Sequence, residues 1–60
     1  MRLVHPPKLV TVQRDGRWYD GQLRAWHRDA DGWQANVCYE VAVGMRYLDW
    51  VPAERVREAV

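Results

Sequence analysis

Apolar and polar residues alternate most regularly between Trp18 and Tyr39. Before Asp29-Ala30-Asp31-Gly32, the residues Tyr19, Gly21, Leu23 and Ala25 share one parity, and Trp18, Asp20, Gln22, Arg24 and Trp26 take the other. After it, Trp33, Ala35, Val37, Tyr39 and Val41 alternate with Gln34, Asn36, Cys38 and Glu40. A period of two sends successive side chains to opposite faces of a strand. The Asp/Gly cluster between the runs brings turn propensity and glycine's tolerance of positive φ. The pattern predicts a long β-hairpin as the spine of the domain, with Leu23 and Val37 in its core.

The flanking segments extend the same reading. Lys8–Gln13 is a first strand with Val10 and Val12 facing the core, and the Asp15-Gly16 pair that follows is a strong hairpin signal. Met45–Val51 is a further strand beyond Ala42-Val43-Gly44. Pro52-Ala53-Glu54-Arg55 is too short for a stable helix and suits one 3₁₀ turn, with Asp49 capping it, before a short last strand at Val56–Glu58. Pro6-Pro7 disfavours both helix and sheet pairing, so residues 1–7 read as an extended N-terminal lead-in. Residues 8–60 are then an all-β domain, a small five-stranded barrel with a one-turn 3₁₀ helix before the last strand. Closure would remove exposed strand edges, and Gly21 sits where the longest strand would bend.

A chain of 60 residues permits one domain and one core. Ordering each residue costs roughly 1–2 kcal/mol of backbone entropy, so such a chain must bury most of its apolar surface. Four tryptophans and no phenylalanine make Trp and Tyr the principal large contributors. The single cysteine, Cys38, can form no internal disulfide and anchors no zinc site of ordinary spacing, as expected in a reducing compartment. No apolar run reaches membrane-span length and the N-terminus lacks the apolar core of a signal peptide, so a cytoplasmic protein without membrane association is expected. Nine basic against eight acidic residues is not the excess of a dedicated nucleic-acid binder.

Asp15-Gly16, Trp18-Tyr19-Asp20-Gly21, Val37-Cys38-Tyr39 and Leu48-Asp49-Trp50-Val51-Pro52 with Arg55 together resemble the Tudor, agenet and chromo-barrel modules of the SH3-like barrel superfamily. The likeness spans roughly Val10 to Arg57. Asp49 and Trp50 are adjacent here, whereas the chromo-barrel pattern has an acidic residue between them. A looser likeness is to the SH3-like DNA-binding domain of integrases and transposases, which is generally more basic.

The resemblance implies an SH3-like (Tudor-like) fold and a non-enzymatic interaction module. Members often hold a methylated lysine or arginine in an aromatic cage at one end of the barrel, through attraction of a cation to ring faces. The matching positions are Trp18, Tyr39, Tyr47 and Trp50, with Arg24 and Arg46 placed to orient an acidic group on a protein or peptide partner. Weighed against this, the same rings serve equally as the core of a small domain. An alternative is DNA binding through Arg14, Arg17, Arg24 and Arg28 with Trp26, since arginines interleaved with aromatics can combine phosphate contacts with stacking. Interspersed Asp15, Asp20, Asp29 and Asp31 describe instead a mixed solvated surface. A third reading is weak homodimerisation, by edge pairing or by burial of Trp26 or Trp33.

Catalysis has little support. Cys38 with His27 or His5 supplies the residue types of a nucleophile and base, but no oxyanion hole is suggested. No metal and no cofactor are expected.

Overall fold

The computed structural model describes residues 1–59. Five antiparallel strands, β1 (Arg2–Arg14), β2 (Arg17–Asp29), β3 (Gly32–Ala42), β4 (Met45–Pro52) and β5 (Val56–Glu58), form one sheet in the order β4-β3-β2-β1-β5. A 3₁₀ turn at Ala53–Arg55 precedes β5, as the sequence predicts. The ladder is open, with β4 and β5 as its two edges. No helix among the described residues is long and apolar enough to cross a membrane.

The turns follow the local chemistry. Asp15 and Gly16 both have positive φ, 51° and 77°, the conformation that a two-residue hairpin loop between right-twisted strands requires. The β2–β3 turn is shaped by Asp29, whose Oδ1 accepts the Asp31 backbone N–H at 2.9 Å.

One face of the sheet supplies the core: Val10 and Val12 from β1, Leu23 from β2, Ala35, Val37 and Tyr39 from β3, and Val51 from β4. Val12 and Val37 are fully buried, at 0% exposure. A flat sheet without a second layer cannot bury one face so completely, so the strands curl around their own side chains. Gly21 enables a close approach: a Cβ there would lie 2.7 Å from the Cys38 carbonyl oxygen and 2.8 Å from Tyr39 Cβ.

Two expectations are corrected. β1 begins at Arg2 rather than Lys8, because Arg2 pairs with Trp26 and Leu3 with Ala25 before the register breaks until Lys8. The lead-in is thus strand at its start, and the proline pair sits inside the irregular stretch, where missing N–H groups cost no ladder bonds. Trp26 does not share a face with Trp18. Arg24 has no register partner on β1 or β3, and β3 passes from Leu23↔Val37 to Ala25↔Asn36. This one-residue bulge reverses the parity beyond it, so Trp26 lies opposite buried Ala35 and packs against the core.

Candidate functional site

The aromatic residues expected to form one platform lie on two faces. Tyr39 is 3% exposed and stands between Tyr19 and Tyr47, with ring centroids at 6.4 and 5.8 Å and interplanar angles near 30°. Its hydroxyl donates to Asp49 Oδ2 at 2.8 Å and accepts from Arg14 at 3.1 Å. Desolvation, then the bond to Asp49, raises the Tyr39 pKa; the bond to Tyr39 chiefly raises that of Arg14. Asp49 therefore braces Tyr39, and the 3₁₀ turn carries no side-chain cap, which corrects the capping role expected for Asp49.

Tyr47 and Tyr39 do come together, but the cation position over Tyr47 is filled by the chain itself. The Arg14 guanidinium lies 4.1 Å from the Tyr47 ring centroid. Trp18 and Trp50 alternate with core-facing Tyr19 and Val51 and so project from the other face of the sheet. Trp18 carries Arg57 at 4.2 Å over its ring, and Trp50 meets the His27 ring edge-on at 6.1 Å. Arg46 pairs with Glu40 at 3.6 Å. Arg24, on the bulge, shares an outer groove with Leu48 and Trp50.

The residues of the nucleic-acid alternative are also dispersed. Arg14 is engaged with Tyr39, Tyr47 and Asp49, and Arg17 lies at the opposite end of β2 from Arg28. Cys38 is half-buried opposite Gln22 and Leu48, while His27 is opposite Gln34. Among the described residues no group of three or more His, Cys, Asp or Glu could hold a metal ion.

An aromatic pair with open surface lies where the β2–β3 hairpin runs towards its turn. Trp26 and Trp33 meet at 86° with centroids 6.3 Å apart, forming two walls of a corner completed by Arg2 and Ala53. The corner encloses about 310 Å³, at the lower end of ligand-pocket size. Trp33 is 43% exposed. Arg28, opposite Trp33 in the ladder, brings its guanidinium to 6.0 Å from the Trp33 ring. Arg2 and Arg28 form no ion pair among the described residues. The corner can accept one apolar or planar group, and Arg2 in its lining, with Arg28 near the Trp33 ring, favours a nearby anion.

The sequence alone does not bring Trp33 and Arg2 together as walls of one corner. The Trp33–Arg28 pairing could have been found by counting back across the Asp29–Gly32 turn, but the Arg2 contact depends on strand pairing through an irregular register. Comparison of the chain with protein-family models, with curated proteins and with solved structures finds no match in any of the three.

Proposed function

We propose that this chain is a small non-enzymatic protein-recognition module that binds an extended partner segment at the Trp26–Trp33 corner. The observation that carries the reading is the open right-angled tryptophan pair flanked by Arg2 and Arg28. An apolar side chain would enter the corner, and a neighbouring Asp or Glu would meet the arginines. The architecture is SH3-like, a reading supported by five antiparallel strands that share one core and a 3₁₀ turn before the last. Its place of action is the cytoplasm, consistent with a lone free cysteine.

Magnitudes indicate a weak, transient contact. Burying one large apolar side chain contributes about 1.5–3 kcal/mol, and a charge-assisted hydrogen bond about 1.5–3 kcal/mol. Together they correspond to a Kd between about tens of micromolar and several millimolar before ordering costs.

Selection of random peptides on the immobilised domain tests this. Enriched sequences are expected to combine an aromatic or aliphatic residue with an adjacent acid, and to bind Trp33→Ala at least about tenfold more weakly, in line with loss of one apolar contact. Peptides that bind Trp33→Ala and wild type equally would reject the corner.

A further inference from the structure

We propose that the free edge of β4 pairs antiparallel with β4 of a second copy, joining the two sheets across a twofold axis at Leu48. Among the described residues β4 pairs only with β3, leaving the opposite side of its backbone without a strand partner. The other margin of the sheet is defended: β5 has three residues, including Arg57 and Glu58, and β1 carries Pro6-Pro7. β4 offers eight residues to a partner, and its two charged residues, Arg46 and Asp49, are of a kind that a second copy can match. Its one proline is the terminal Pro52, while Met45 and Leu48 are 51% and 59% exposed.

The side chains select both the occupant and the register. Continuing the sheet requires facing residues to lie on the same side, so only pairings between positions of equal parity are allowed. With Leu48 opposite Leu48, Arg46 of each copy faces Trp50 of the other, Tyr47 faces Asp49 and Met45 faces Val51. This gives an apolar centre, two cation–aromatic pairs and two hydroxyl–carboxylate pairs. A shift by one step each way to centre on Asp49 sets two carboxylates against each other and draws Pro52 into the ladder. Centring on Tyr47 places Asp49 against Met45 and Arg46 against Leu48. The strand is self-complementary in one register, and a twofold contact of this kind closes as a dimer.

Sedimentation equilibrium from about 10 μM to about 1 mM, a range suited to weak pairing, should show a mass rising from 7.1 kDa towards twice that value. Leu48→Glu, which sets like charges at the axis, should remain monomeric throughout. Register is read by cross-linking in a Cys38→Ser background. Leu48→Cys should form an intermolecular disulfide, because directly opposed Cα atoms lie about 4.5–5.5 Å apart. Arg46→Cys should not, because its two copies would be about 14 Å apart along and across the paired strands. A constant wild-type mass of 7.1 kDa, or equal cross-linking from positions 46 and 48, would overturn the proposal. Should Leu48→Glu fail to fold, the wild-type mass and the two cysteine variants still decide it.

Discussion

The Tyr39 hydroxyl donates a 2.8 Å hydrogen bond to Asp49 across the β3–β4 ladder. Arg14 donates to the same hydroxyl from the end of β1. The middle ring of a three-tyrosine stack is thereby tied to both a carboxylate and a guanidinium. A cage of the expected kind would need this ring open to a ligand. Here it is packed core with a satisfied polar tip.

Tyr39→Phe should lower stability by about 1–2 kcal/mol at neutral pH, the scale of hydrogen bonds to charged partners that can regain water. The wild type should also have a distinct alkaline limb. Tyr39's folded pKa is raised above its ordinary value of 10.0, so its contribution is fully present below that value and lost as pH rises through the folded value. Thermal melts at increasing pH should show a decline that is weaker in Tyr39→Phe. Identical alkaline limbs would contradict the role assigned to this hydroxyl.

At Gly21 the close approach of β3 decides the outcome of substitution. Alanine normally gains strand stability over glycine, but here its Cβ would overlap the Cys38 carbonyl and Tyr39 Cβ. Gly21→Ala should therefore cost about 1–3 kcal/mol, as overpacking does. Urea denaturation measures this, and an unchanged midpoint would show that β2 and β3 are not so tightly apposed.

Leu23→Ala should cost about 2–5 kcal/mol. Small domains have net stabilities of about 0.05–0.15 kcal/mol per residue, so this one change could remove most of the total. A folded variant with wild-type melting would contradict the inward facing of Leu23.

Parity along the chain made much of this fold legible. It placed Leu23, Val37, Val10 and Val12 inward, and Asp15-Gly16 and Asp29–Gly32 at turns. It fails in β2 beyond Arg24, because one unpaired residue reverses the facing of the rest of that strand while leaving the composition strand-like. Asp49 was misread because its neighbour Pro52 suggested a local cap, whereas its partner Tyr39 is ten residues away. The Trp26–Trp33 corner was only half visible, since Arg2 reaches it through pairing on the far side of the prolines.

Lys8 and Glu58 form an exposed ion pair joining the start of the expected first strand to β5. The hydrogen bond from Lys8 is the main cause of Glu58's lowered pKa. Its support is present above the ordinary value of 4.5 and is lost as pH falls through the lowered folded value. Glu58→Gln should make the acid limb of a melting series shallower, an effect diminished by salt. Equal acid limbs in low salt would contradict a contribution from this pair.

The corner as a protein-binding surface is the central claim, and the most direct measurement is a ¹⁵N NMR titration of the four indole N–H signals. One series would use a selected acidic-aromatic peptide and the other a mixed-sequence single-stranded DNA, both at low salt. The peptide is expected to shift the Trp26 and Trp33 indoles together with the Arg28 side chain, leaving Trp18 in place, while DNA causes no comparable saturating change. Saturating shifts from DNA at the same corner, or peptide shifts centred on Trp18 with Trp26 and Trp33 unmoved, would contradict it.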